Sequence, residues 1–188
     1  MKTKKIALFA SGSGTNAEKI MQQLQGHEQI EVAMLLSNKT NAGALERAKK
    51  YSVETHVFNR EDFYQKKNVL SLLQENEIDL IVLAGFLWLI PEHLVNAFPN
   101  KIVNIHPALL PKYGGKGMYG MHVHEAVVTN KEKQSGITIH YVNEVYDEGQ
   151  IIFQASCSVL PTDTAADVAK KVQKLEHEHF PAVVERLL

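Results

Sequence analysis

Three things are scarce in this chain of 188 residues. Cysteine occurs once, at Cys157, so no disulfide framework can form within the chain, and a reducing compartment such as the cytoplasm is the expected location. An excess of either charge is also missing: 20 Lys and Arg stand against 21 Asp and Glu, a formal net charge of −1. That balance excludes a protein built to coat phosphate backbones, so no nucleic-acid partner is expected, while small anionic ligands stay open. Long apolar runs are absent as well. The stretch from Ile78 to Ile90 is interrupted by Asp79 and Gly85 and falls short of the ~20 residues that span a bilayer. Lys2, Lys4 and Lys5 imitate the charged flank of a signal peptide, yet Ile6 to Ala10 is only a strand's length of apolar residues before Ser11-Gly12 ends it. No membrane partner is expected.

What is present is the composition of a soluble globular protein, 45% hydrophobic and 22% charged. A chain of this size buries about 70% of its unfolded surface, so one domain over 1–188 needs neither metal nor disulfide to hold a core. No internal repeat, linker or low-complexity tract divides it.

Short apolar runs at Ile6–Ala10, Glu31–Leu36, Leu80–Leu83 and Ile102–Ile105 read as strands. Between them, Ala17, Ile20, Met21 and Leu24 repeat with helical spacing, and further helices are predicted over Ala44–Lys50 and Asp62–Gln74, with Pro91 opening another. This alternation predicts an α/β fold: a Rossmann-like, open, mostly parallel twisted sheet flanked by helices. A Pro-, Gly- and Tyr-rich loop then leads to a short helix near His122–Thr129. The runs Ile137–Val142 and Gln150–Val159 close on each other as a mixed carboxy-terminal end. A long helix from Thr164 to Leu187 finishes the chain, with Asp163 or Thr162 as the expected cap.

Ser11-Gly12-Ser13-Gly14-Thr15-Asn16 joins the first strand to the first helix. Glycine lets backbone approach a ligand closely, and free amides at a helix N-terminus favour an anion, so Gly12, Gly14, Thr15 and Asn16 are candidate phosphate contacts. A simple capped turn is the plainer alternative. Gly12-x-Gly14-x-x-Ala17 also fits a loose dinucleotide fingerprint, but the second strand ends Ser37-Asn38-Lys39 without the acidic ribose hook. A Walker loop is excluded because Thr15-Asn16 follow Gly14.

Asn104 and His106, two apart on a strand, project from one face at the carboxyl end where open α/β sheets hold ligands. A polar pair there costs stability unless hydrogen-bonded; it is either catalytic or a satisfied core pair. Asp147, in the turn Tyr146-Asp147-Glu148-Gly149, is an ordinary turn residue unless it stands beside His106, where it would orient the imidazole and favour its charged form. His122, His124 and His140 do not make a metal site on this pattern. Positions two apart on a helix point in different directions, and no acid or thiol stands at ligand spacing.

On the final helix Ala165, Val168, Ala169, Val172, Phe180, Val183 and Val184 trace an apolar stripe, and Glu176 falls on it. Either Pro181 tilts the helix and leaves Glu176 exposed, or the carboxylate serves a ligand in the crevice.

With SGSGTN, LAGF, NIHPALLP and YDEGQIIF in this order, the chain resembles the phosphoribosylglycinamide formyltransferases of the folate-dependent formyltransferase family, from Lys5 to about Val184. The resemblance implies formyl transfer from 10-formyltetrahydrofolate, a cosubstrate, to the amine of phosphoribosylglycinamide in purine biosynthesis, with no metal. It implies Asn104, His106 and Asp147 as the catalytic set, the phosphate on the glycine loop, and Glu176 at the substrate amine. The donor is expected against Leu87, Trp88, Leu89, Ile90, Asn104, Asn143 and Tyr146, with Arg60 near the folate tail. Trp88 departs from the family, which commonly has arginine there, and Gly114 to Met121 is longer than the usual loop. The expected partners are small-molecule substrates, and the expected state is a monomer or weak homodimer. Two alternatives stand beside this: a formyltransferase acting on another amine, such as an amino-sugar nucleotide, and a phosphate-binding module without turnover.

Overall fold

The computed structural model describes residues 2–188. Strand β1 (Lys4–Phe9) is an interior strand of one seven-stranded sheet, with β2 (Ile30–Ser37) and β3 (Glu54–Val57) on one side. On the other side follow β4 (Leu80–Leu83), β5 (Ile102–His106), β6 (Gln134–Tyr141) and β7 (Ile151–Ser158), giving the order β3-β2-β1-β4-β5-β6-β7. The first five strands are parallel, whereas β6 and β7 run antiparallel to their neighbours, as the two closing runs of sequence predict. The chain leaves β1 in one direction and, at β4, returns on its other side. Backbone at the carboxyl ends of β1 and β4 therefore splays apart into a crevice.

Alternation along the strands divides the core. Ile6, Leu8, Leu35, Val82, Val103 and Ile105 face helices α1 (Thr15–Leu24), α2 (Gly43–Lys50) and α7 (Ala165–Arg186). Ala7, Phe9, Met34, Leu36, Ile81 and Leu83 face an aromatic layer built on Phe58, Phe63 and Phe86. The edge strand β3 escapes the sequence pattern because Glu54-Thr-His-Val offers no apolar run.

Three local expectations are corrected. The helix expected over Asp62–Gln74 is two, α3 (Arg60–Tyr64) and α4 (Asn68–Glu75), because Lys67 sits in the left-handed region at φ 57°. Asn59 caps α3 by accepting from Asp62 N–H, while Asn68 donates to the Asp62 carboxylate at 2.8 Å across the break. Pro91 is the residue before α5 (Glu92–Ala97), not its first helical position. The cap of α7 is Thr164 and not Asp163 or Thr162: its hydroxyl accepts from Asp167 N–H, and the Asp167 carboxylate reaches back to Thr164 N–H, a reciprocal capping box. Helix α7 runs through Pro181 without ending. The bond lost to the missing N–H is outweighed by burial of Phe180, Val183 and Val184, each worth roughly 1.5–3 kcal/mol.

Candidate active site

The turn after β1 meets α2 at close range. Gly14 has φ +76°, and a Cβ there would lie 2.4 Å from the Ala44 Cβ, so both conformation and space require glycine. Among the described residues the backbone N–H groups of Gly12 to Asn16 find no protein acceptor, and the first helical bond of α1 is Glu18 N–H to Gly14 C=O. Those free amides at the positive end of a ten-residue helix are suited to an anion. Asn16 donates its side-chain amide to the Glu176 carboxylate at 3.0 Å and leaves its own carbonyl oxygen buried and unpartnered. Burial pushes the Glu176 carboxyl above its ordinary value, against the Asn16 hydrogen bond that lowers it.

Asn104 and His106 occupy one face of β5, and in the antiparallel register His140 of β6 stands directly opposite Asn104. His140 presents Nδ1 to the Tyr141 carbonyl at 2.8 Å, which leaves Nε2 to accept from the Asn104 amide at 3.1 Å. The segment between β6 and β7 folds back over this face and brings Asp147 to 3.4 Å from His106 Nδ1 and 3.5 Å from the Asn104 amide. Asp147 adopts φ 57°, and its carboxylate also accepts from Gly115 N–H at 2.9 Å. On the other side of the ring, His106 Nε2 lies 2.7 Å from the Tyr113 carbonyl.

Burial and charged neighbours act in opposite directions on the His106–Asp147 pair. Burial works to raise Asp147, but the imidazoles of His140 and His106 and the Gly115 N–H overcome it, so its carboxyl lies below the ordinary range. Burial also pushes His106 below its ordinary value, although Asp147 and the Tyr113 carbonyl pull it up. Asp147 is therefore held as a carboxylate, while burial works against the charged form of His106 that its two acceptors favour. Desolvation opposes the imidazolium, and the carboxylate at 3.4 Å supports it.

At the donor end, the loop after β4 is tied down by Leu87 N–H donating to Ser11 Oγ at 3.1 Å and by the Tyr64 hydroxyl donating to the Leu89 carbonyl at 2.9 Å. Trp88 packs against Phe58, Phe63, Tyr64 and Phe86, and the Arg60 guanidinium lies 4.8 Å above its ring.

One cleft of about 860 Å³ collects these parts. Gly12, Gly14, Thr15, Asn16 and Glu176 line one end; Asn104, His106 and Asp147 line it further along, with Leu87, Trp88, Leu89, Ile90, Asn143 and Tyr146. Arg60 is the exception among the expected residues. It does not line the cleft and reaches it only by stacking on Trp88. Sequence reasoning missed Ser13, Lys39, His124 and His140 as lining residues, and the long loop it noted over Gly114 to Met121 lines the cleft from Gly115 to Met121. Strand pairing is what exposes His140, and the sequence holds no local signal for it. Leu87, Tyr119, Met121 and Val145 leave apolar side chains exposed around the same cleft.

Residues 4–184 match the family described as Formyl transferase, and the chain belongs to that family. Its relatives include the phosphoribosylglycinamide formyltransferase of Bacillus subtilis (strain 168), 35% identical over 190 residues, covering 98% of this chain and 95% of the relative. The chloroplastic phosphoribosylglycinamide formyltransferase of Arabidopsis thaliana is 41% identical over 187 residues, 96% of this chain. This chain spans 64% of that protein and 62% of its counterpart from Vigna unguiculata, somewhat under two thirds of each. Among solved structures, phosphoribosylglycinamide formyltransferase from Bacillus halodurans is 39% identical with a TM-score of 0.88, covering 98% of this chain and 95% of that one. Glycinamide ribonucleotide transformylase 1 from Geobacillus kaustophilus has a TM-score of 0.89 at 34% identity, covering 99% of both.

Proposed function

We propose that the protein transfers the formyl group of 10-formyltetrahydrofolate to the amine of phosphoribosylglycinamide, a step of purine biosynthesis. The observation that carries this is the meeting of Asn104, His106 and Asp147 in one cleft with a glycine turn whose amides are free for a phosphate. Holding the phosphate there, far from the reacting atoms, positions the amine and supplies binding energy to orient it. Glu176, with a raised pKa between the turn and the catalytic set, takes the amine.

The amine lone pair attacks the formyl carbon, and the carbonyl π electrons move to oxygen. Asn104 donates one amide hydrogen to His140 and the other, across a long N···O distance of 3.5 Å, to Asp147; the second leaves this weak contact to bond the developing oxyanion. His106 relays the proton shed by the attacking nitrogen. Its positive charge then lies between Asp147 and the Tyr113 carbonyl. The same proton passes to the folate nitrogen as its bond to carbon breaks and the carbonyl re-forms. The donor lies along Leu87 to Ile90, Asn143 and Tyr146, with Trp88 and its stacked Arg60 at the outer end.

No metal takes part in these steps. The partners are the two small molecules, and the chain works in the cytoplasm as a monomer or weak homodimer. Among the described residues no helix is long and apolar enough to cross a membrane. The test is to incubate purified protein with both substrates and follow the formylated amine by mass spectrometry, with an amino-sugar nucleotide as competing acceptor. Absence of formylated phosphoribosylglycinamide, or preferential formylation of the competitor, overturns the reading.

A further inference from the structure

The turn that would hold the phosphate is itself held from behind by α2. Ala44 N–H donates to the Gly12 carbonyl at 3.2 Å, and Arg47 Nε donates to the Ser13 carbonyl at 2.8 Å. In a planar trans peptide the carbonyl and the following N–H point in opposite directions. Anchoring the carbonyls of Gly12 and Ser13 on α2 therefore turns the N–H groups of Ser13 and Gly14 to the other side, where the cleft lies. Neither N–H has an acceptor among the described residues. The fit is close: a Cβ on Gly43 would meet the Ser13 carbonyl oxygen at 3.2 Å, and one on Gly14 would meet Ala44.

Arg47 makes a second contact. Its other guanidinium nitrogen pairs with Glu18, in the first turn of α1. An uncovered carboxylate at that position would oppose an anion on the amides of the same helix end. Lys50, 3.8 Å from Glu18 and more exposed, adds little by comparison. Arginine suits both tasks because its planar group offers Nε to one acceptor and a terminal nitrogen to another; lysine can serve one of them.

We infer that Arg47 is a positioning residue for the phosphate: it aims the Ser13 and Gly14 amides into the cleft and neutralises Glu18 beneath them, without touching the ligand. This rests on the reading of the turn as the phosphate site. It adds to that site a residue from α2, about thirty positions along the chain, and a backbone amide, that of Ser13.

The experiment compares two ligands, phosphoribosylglycinamide and the same glycinamide riboside without its phosphate, on wild type, Arg47→Met, Arg47→Lys and the Arg47→Met/Glu18→Gln double variant. A charge-assisted contact of this kind sets the expected scale. In Arg47→Met the preference for the phosphorylated ligand should fall about tenfold, with affinity for the riboside and for the folate donor within about twofold of wild type. In turnover, KM for the phosphorylated amine should rise by a similar factor while kcat changes little. Arg47→Lys should lose part of the preference, and adding Glu18→Gln to Arg47→Met should restore part of it. If Arg47→Met and Arg47→Lys keep the wild-type preference, or both ligands weaken equally, the proposal is overturned while the phosphate site stands. A wild type with no preference for the phosphorylated ligand overturns both.

Discussion

The side-chain amide of Asn16 donates to the carboxylate of Glu176 at 3.0 Å, joining the first turn of α1 to the middle of α7 across 160 positions of sequence. The stripe on the last helix thus carries its carboxylate to the cleft, and Pro181 does not turn it away.

Glu176→Gln should weaken phosphoribosylglycinamide binding about tenfold or more and leave folate binding within about twofold, because a charged partner for the amine is lost. Stability should not fall. A carboxyl whose pKa is raised by burial weakens the fold once pH exceeds that value, so a neutral amide of equal size removes a cost at pH 7. Isothermal titration and melting temperature at pH 7 check both; unchanged amine-substrate affinity contradicts the assignment.

His106→Ala and Asp147→Asn should each lower kcat by at least ~10²-fold while phosphoribosylglycinamide affinity changes little, since both residues act on charge that develops during the reaction. Steady-state kinetics beside direct binding will separate the two effects. Near-normal turnover in either variant would remove the residue from the mechanism.

Trp88→Ala removes aromatic packing against Phe58, Phe63 and Phe86 together with the platform under Arg60. Loss of stability of about 1–3 kcal/mol is expected for this half-buried ring. KM for the folate donor should rise several-fold more than KM for the amine. Trp88→Phe, which keeps an apolar face, should recover most of the stability but less of the donor affinity. Equal changes in both KM values would reduce Trp88 to a packing residue.

His124 is buried, with Nδ1 unpartnered, and burial together with His106 holds its pKa below the ordinary 6.5. The unfolded chain therefore binds the proton first as pH falls through 6.5, and stability drops towards the lower folded value, by at most about 1.4 kcal/mol per pH unit for one such group. His106 adds a slope of the same sign. Asp147, lowered from 3.8, keeps its contribution above that value and loses it only at lower pH. His124→Gln should therefore flatten the fall in urea midpoint between pH 7 and pH 5. A slope equal to wild type would show that His124 titrates as an ordinary histidine.

How far the sequence could be read depended on whether the signal was local. Gly14 before Thr15-Asn16 announces a helix opening, and the two-residue spacing of Asn104 and His106 announces a shared strand face. His140 could not be found this way, because its partnership with Asn104 exists only once β5 and β6 pair in one register. The break at Lys67 is a backbone conformation that its side chain does not advertise. The downward push on the His106 pKa comes from desolvation by distant parts of the chain, whereas the sequence offers only the attractive neighbour, Asp147. Arg47 stood unnoticed for a related reason, since what it holds is a main-chain carbonyl.

The place where the strand order reverses also separates two tasks. The turn after β1 and its backing from α2 belong to the half of the sheet running outward through β2 and β3, while Asn104, His106, His140 and Asp147 belong to the half running through β5 and β6. On the proposed function, recognition of the acceptor's anionic handle and the handling of the one-carbon unit fall to different halves of the sheet. On that reading, changes to the β1–α1 turn should alter which phosphorylated amine is accepted and leave the formyl chemistry in place.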